Sequence, residues 1–174
     1  MMTNQQLEEI YTPMKEFTLY AISNYGNIVH MKENRILYLS TKKLGYKQVI
    51  LYKKHSERST HLVHRLVAIN FIDNPKTMPI IDHIDNNPEN NREDNLRWCS
   101  TAQNNYNTKI PKSNTSAVKG VSQNSNKSKW IAKIIFQGKS IHLGSFNTIE
   151  EATKARQKKS NELFGEFTNS CEKN

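Results

Sequence analysis

Asp82 and His83 stand side by side at the end of the short apolar run Ile80–Ile81, and Asp85, Asn86 and Asn87 follow closely. Asn95, Arg97 and Trp98 come next, and then Gln103, Asn104 and Asn107. An imidazole with a pKa near ~6.5 accepts a proton from water at neutral pH. Carboxylate and amide oxygens suit one hard divalent cation, because magnesium takes few protein ligands and keeps several waters. Phosphodiester hydrolysis asks for such a set: an activated nucleophile, charge relief on the phosphate and a stabilised leaving oxygen. Singly, each residue has a plainer role. Asp and Asn clusters are common in turns, where their side chains bond their own backbone, and a lone histidine is usually structural. The combination and its spacing favour chemistry.

The elements that must position these groups are short. Two apolar residues leading into Asp82 predict a strand that ends on the acid and the imidazole. Pro88 to Asp94 is turn and loop sequence, and Leu96–Cys99 reads as a second strand. Ser100 and Gln103 have capping-box spacing, which predicts a helix with Asn104 in its first turns. Strand, loop, strand and helix together make a compact site for one divalent cation and a general base.

The order Asp-His-x-Asp-Asn-Asn, then Asn-Leu-Arg-Trp, then Gln-Asn-x-x-Asn resembles the ββα-metal core of HNH endonucleases, in the His-Asn-Asn form found in phage homing endonucleases. The resemblance implies that His83 is the general base and that Asp82 and Asn104 hold Mg²⁺, with Mn²⁺ as an alternative. It implies that Asn95 braces the loop and the base. Asn107 lies beside this pattern.

Composition bounds the rest. The 174 residues hold room for one ordinary domain or a few small modules, and a hydrophobic content of 36% favours small units. The formal charge is +9, and residues 109–174 carry 12 basic against 5 acidic side chains. No carboxylate side chain lies between Asp94 and Glu150, a footprint of polyanion binding. Cys99 and Cys171 stand far apart, which excludes a cysteine-rich zinc site, argues against a disulfide framework and fits a reducing compartment. The polar start carries no readable signal peptide. No apolar run approaches the roughly 20 residues of a membrane span.

In chain order, a short helix is expected around Leu7 to Ile10. β-type segments follow at Tyr20–His30, Ile36–Leu39 and Tyr46–Tyr52. The Ile22-Ser-Asn-x-Gly-Asn-Ile-Val stretch is similar to the NUMOD4-like module that precedes HNH cores in phage endonucleases. His61–Phe71 is a helix candidate, with apolar Val63, Leu66, Val67 and Phe71 on one stripe and Leu62 and Ile69 beside it. His64 within it is read as a partly buried structural histidine rather than a ligand. Arg65 and Arg97 are candidate phosphate contacts.

Residues 109–117 are polar, basic and rich in Ser and Thr, as in a linker. Three strands follow around Val121, Trp130–Phe136 and Lys139–Phe146, and then a helix opened by the capping-box pair Thr148 and Glu151. Ala152, Ala155 and Leu163 are expected on its packing face. Lys-Gly-Val, Lys-Trp-x-Ala-x-Ile, Leu-Gly-Ser-Phe and Thr-x-Glu-Glu-Ala resemble an AP2-type DNA-binding domain. That resemblance implies a sheet face in the major groove, opposite a core face of Trp130, Ala132 and Ile134. Its DNA contacts would be Lys119, Ser122, Lys133, Ser140 and His142, and Lys129 and Lys139 add to the basic surface. Lysines mostly supply phosphate affinity, so a sequence-tolerant, salt-sensitive grip is expected.

The expectation is therefore an α+β chain. It comprises a β-rich NUMOD4-like module (1–58), an HNH core (59–108), a basic linker (109–117) and an AP2-like domain (118–174). The expected function is Mg²⁺-dependent cleavage of double-stranded DNA in the host cytoplasm, away from membranes. The chain would act as a monomer with transient pairing on DNA. A non-catalytic DNA-binding regulator that keeps the HNH fold is the alternative, and a zinc hydrolase a distant third.

Overall fold

The computed structural model describes residues 8–53 and 57–173. The chain is α+β and forms two compact units divided between Cys99 and Ser100.

In the first unit, β1 (Tyr11–Pro13), β2 (Tyr20–Ser23), β3 (Ile28–His30) and β4 (Arg35–Ile36) form an antiparallel sheet in sequence order. The helix expected around Leu7 to Ile10 is not formed at Glu8–Ile10, which are irregular, and Leu7 lies outside the described residues. A distant side chain decides this. Asn24 accepts from the Ile10 N–H at 3.0 Å and donates to the Glu8 carbonyl at 3.0 Å, taking groups a helix would have used. Pro13 then sits on an edge strand, where its missing N–H costs nothing.

A second antiparallel sheet joins β5 (Ser40–Thr41), β6 (Lys47–Tyr52) and β7 (Arg58–Leu62). In β6, Val49 and Leu51 are buried while Ile50 and Tyr52 are exposed, the alternation of a strand with one wet face. Helix α1 runs Val63–Phe71, later than the sequence suggests, because His61 and Leu62 pair with Val49 and Gln48 in the β6–β7 ladder. Val63, Leu66 and Val67 are buried as expected, but Ile69 is 63% exposed. Ile22, Ile28, Val49, Leu51, Val63 and Val67 form one core, which extends to Ile81 of β8 (Ile80–His83) and Leu96 of β9 (Leu96–Cys99).

The second unit begins with α2 (Thr101–Tyr106), whose Ser100–Gln103 capping box is complete. β10 (Val121–Gln123), β11 (Trp130–Phe136) and β12 (Lys139–Phe146) form an antiparallel meander, with a register shift at Ala132/Lys133. Val121, Ala132 and Ile134 are buried, and Val121 and Ala132 pack with Ala152 of α3 (Ile149–Phe164). Trp130 is half-buried against that cluster.

The packing face of α3 differs from expectation. Its buried residues are Ala152, Arg156, Ser160 and Phe164, a row at i, i+4 spacing, while Ala155 and Leu163 are half-buried. Arg156 tolerates this place because the Glu172 carboxylate lies 2.9 Å from its Nη2, and the Lys119 ammonium lies 3.3 Å from the same carboxylate. The pocket behind Gly120 admits no side chain: a Cβ there would come within 2.5 Å of Arg156 Nε. Further contacts fix α2 to this unit. Tyr106 stacks on Phe164 with centroids 4.0 Å apart, Lys119 Nζ donates to the Tyr106 carbonyl at 2.8 Å, and Asn169 Nδ2 donates to the Asn107 carbonyl at 2.6 Å.

Removing one partner of a buried ion pair leaves the other charge unbalanced. The Glu172→Gln variant is therefore expected to lose about 3–5 kcal/mol of stability in urea melts. A loss below about 1 kcal/mol would mean that Arg156 does not depend on this carboxylate.

Candidate active site

β8 (Ile80–His83) and β9 (Leu96–Cys99) pair antiparallel, with Asp82 opposite Arg97 and His83 opposite Leu96. Asp82 and His83 are both buried at the end of β8. Arg97 donates to Asp82 Oδ2 through Nε at 2.9 Å and Nη2 at 2.7 Å.

The loop from Ile84 to Asn95 is polar and is held by Asp85. Its Oδ1 accepts from the Asn87 N–H at 2.7 Å and from Asn95 Nδ2 at 3.0 Å, and its Oδ2 accepts from Asn90 Nδ2 at 2.7 Å. Burial alone would push the Asp85 carboxyl up; the bonds from Asn90, Asn87 and Asn95 outweigh it and hold the pKa below the ordinary value. Asn95 returns the contact, accepting from the Asp85 N–H at 3.1 Å and donating to the Asn90 carbonyl at 2.8 Å. Asn86 takes a left-handed conformation at φ +58°, which asparagine tolerates.

The N-terminal strands press on this loop. The Glu93 N–H donates to the Asn24 carbonyl at 2.7 Å, and Arg92 lies 4.1 Å over the Tyr25 ring. A Cβ on Gly26 would meet Asn91 Cβ at 3.0 Å, and one on Gly45 would meet Pro88 Cγ at 2.9 Å, so both glycines allow close approach. Asn91 is buried near His83, a neighbour that sequence reasoning missed, and its Nδ2 donates to the Glu89 carbonyl at 3.0 Å. Its one signal was an asparagine more than the Asp-Asn-Asn turn needs.

Burial lowers the pKa of His83, and the nearby Asn91 amide and the charges of Asp85 and Asp82 recover only part of the shift. The imidazole is therefore neutral at neutral pH and able to accept a proton. His64 lies against it, with ring centroids 5.1 Å apart at 77°, and Tyr46 lies 5.4 Å from His64 and 5.9 Å from His83. His64 is buried, and its Nδ1 has no hydrogen-bond partner among the described residues. Burial first, then the charges of His83 and Arg65, push its pKa down to about 4.

The remaining candidates fall in several places. Arg65 donates to the Pro79 carbonyl at 3.3 Å and lies 5.9 Å over the Trp98 ring. Asn104 stands on α2, in the second unit, and Asn107 is buried against Asn169. Ser122, Lys133, Ser140 and His142 are exposed; Lys133 pairs with His142 and Ile135 with Ser140, which puts these side chains on the sheet face away from Ala132 and Ile134. Lys129 Nζ donates to Asn147 Oδ1 at 2.6 Å, and Lys139 is exposed at the β11–β12 hairpin. Lys119 is turned inward instead, on the carbonyls of Tyr106 and Thr108 and on Glu172. Among the described residues no group of three or more His, Cys, Asp or Glu side chains gathers to hold a metal ion, and no helix is long and apolar enough to cross a membrane.

Family models match in two places: the NUMOD4 motif over residues 9–52 and HNH endonuclease over residues 61–106. Protein 3.8 of Escherichia phage T7 is 38% identical over 87 residues, covering 50% of this chain and 71% of the relative. An uncharacterized HNH endonuclease of Acanthamoeba polyphaga mimivirus is 33% identical over 94 residues, 53% of this chain and 23% of the relative. The chain spans about a quarter of the length of the mimiviral relatives it matches first. The solved structure described as DNA binding and cleavage by the HNH homing endonuclease I-HmuI aligns with a TM-score of 0.52 at 27% identity, covering 90% of this chain and 91% of the other. The paired strands with their asparagine-braced loop, followed by α2, are the fold of a ββα nuclease core. The chain belongs to the HNH endonuclease family.

The buried His64 makes stability depend on pH. Its folded pKa of about 4 lies below the ordinary 6.5, so the unfolded chain binds a proton that the folded chain refuses. This contribution is complete above pH 6.5 and is lost as pH falls toward 4, by roughly 3 kcal/mol at most. Urea melts in EDTA should show that slope, and His64→Leu should flatten it. Equal slopes in the two proteins would refute the assignment.

Proposed function

We propose that the chain is a sequence-targeted, Mg²⁺-dependent DNA endonuclease of the homing type. The observation that carries this reading is a neutral imidazole, His83, at the end of a strand beside the buried carboxylate of Asp82. His83 takes the proton from the attacking water. The Asp85–Asn95 hub braces the loop that follows His83 and so holds the base in place. The donor set fits magnesium: Asp82 offers a carboxylate and Asn104 an amide oxygen, both hard oxygen donors. When bound there, the ion supplies Lewis-acid relief of charge on the phosphate and the leaving 3′ oxygen. Mn²⁺ has the same preference for oxygen and is the natural substitute. The products are 5′-phosphate and 3′-hydroxyl ends.

Arg65 and the exposed row Ser122, Lys133, Ser140 and His142, with Lys129 and Lys139, bind double-stranded DNA in this reading. Residues 118–174 serve as the AP2-like targeting domain, and residues 109–117 link them to α2 within the second unit. One active site per chain nicks one strand, and two monomers acting in turn on DNA would cut both. The setting is the cytoplasm of the host cell.

A nicking assay on supercoiled plasmid and phage DNA tests the reading. Cleavage should require Mg²⁺ or Mn²⁺ and fall at least about 100-fold in His83→Ala. If the unaltered chain binds DNA yet cuts no substrate with either metal, the protein is a DNA-binding regulator on an HNH fold.

A further inference from the structure

Asp82 and Arg97 face each other across the β8–β9 pair, and two guanidinium nitrogens converge on the single oxygen Oδ2. The two side chains are not equally shielded: that of Asp82 is 6% exposed and that of Arg97 is 14% exposed, so the guanidinium is the member nearer water. Resting on the nuclease reading, in which Asp82 is a metal ligand, we infer that Arg97 is a substrate-operated latch on that site. In the free protein it neutralises Asp82; a phosphodiester of bound DNA draws it away and leaves the carboxylate to a divalent cation.

The argument is electrostatic. A guanidinium and a dication on one carboxylate oxygen repel each other, and a shielded site offers little water or salt to screen them. Withdrawing Arg97 alone would take a charged partner from a buried anion, which is costly. A phosphodiester presents two oxygens that match the guanidinium fork, so Arg97 gains a partner as it leaves. Exchange thus converts one ion pair into two, and neither half is favourable alone. Asp85 is no competing latch, because Asn87, Asn90 and Asn95 meet its carboxylate with neutral N–H donors. Arg92 is no competing latch either, because it is bound to the exposed Asp94.

Coupling of this kind is reciprocal: DNA raises metal affinity and metal raises DNA affinity by the same factor. A fixed Arg97 that only oriented Asp82 would give the opposite sign, since its removal would weaken metal binding.

The test is Mn²⁺ titration followed by electron paramagnetic resonance, on the full chain carrying His83→Ala so that no turnover occurs. It is run with and without mixed-sequence duplex DNA, with metal bound by DNA alone subtracted. DNA should tighten Mn²⁺ binding roughly tenfold. Adding Arg97→Gln should tighten Mn²⁺ binding without DNA and abolish the DNA dependence. The latch is overturned if DNA leaves Mn²⁺ affinity unchanged in the His83→Ala protein, or if Arg97→Gln weakens it. Should Arg97→Gln fail to fold by circular dichroism, the comparison with and without DNA decides alone. Plasmid nicking by the unaltered chain is scored separately. Coupling without nicking would sink the enzyme reading and keep the latch, and nicking without coupling would do the reverse.

Discussion

The carboxylate of Asp85 is the contact on which the candidate site rests. The loop between β8 and β9 is mostly polar, so it has few apolar side chains with which to hold its own shape. Asp85 substitutes for a core by accepting from Asn87, Asn90 and Asn95, and Asn95 answers by accepting from the Asp85 backbone. A network of this kind is rigid only when every member is satisfied. Several partners lie outside the loop: the Asn24 carbonyl takes the Glu93 N–H, and Gly26 and Gly45 let backbone come close to Asn91 and Pro88. The N-terminal strands therefore act on the β8–β9 loop through packing, by closing the side it cannot close itself.

The second unit solves a similar problem with charge. Its small sheet and its helices α2 and α3 bury few large apolar side chains, and the row on α3 includes Arg156 and Ser160 among its buried members. The Arg156–Glu172 pair with Lys119 alongside fills the space that a larger domain would give to leucine or phenylalanine. Such pairs add little net stability over an apolar filling, but they are intolerant of a missing partner. They make Glu172, beyond the end of α3, part of the core of this unit.

Elements with local causes were legible in the sequence. The strand ending on Asp82 and His83, the Ser100–Gln103 capping box, the β11–β12 hairpin and the Thr148–Glu151 helix start all depend on residues a few positions apart, and all are present. What could not be read depends on distant partners. Glu8 and Ile10 lose their expected helix to Asn24, His61 and Leu62 are taken into a strand by β6, and Arg156 faces inward because Glu172 waits beyond the helix end. Lys119 looked like surface charge for the same reason. The chemistry-bearing residues of the candidate site stood out by type and spacing, whereas the contact between Asn91 and His83 belongs to the folded loop alone.

The way α2 is fastened bears on how such a chain can be reassembled in evolution. Residues 109–117 look like the natural seam at which one targeting domain would be exchanged for another. Yet Tyr106 is stacked on Phe164, and Asn107 is buried against Asn169. A recombination breakpoint within 109–117 would hand α2 to a foreign domain lacking both partners, and leave the donated domain with an exposed aromatic ring and an unmatched amide. Crossovers that preserve these contacts must fall upstream of Ser100, so the helix bearing Asn104 would be inherited with the C-terminal domain rather than with the strands that bear Asp82 and His83.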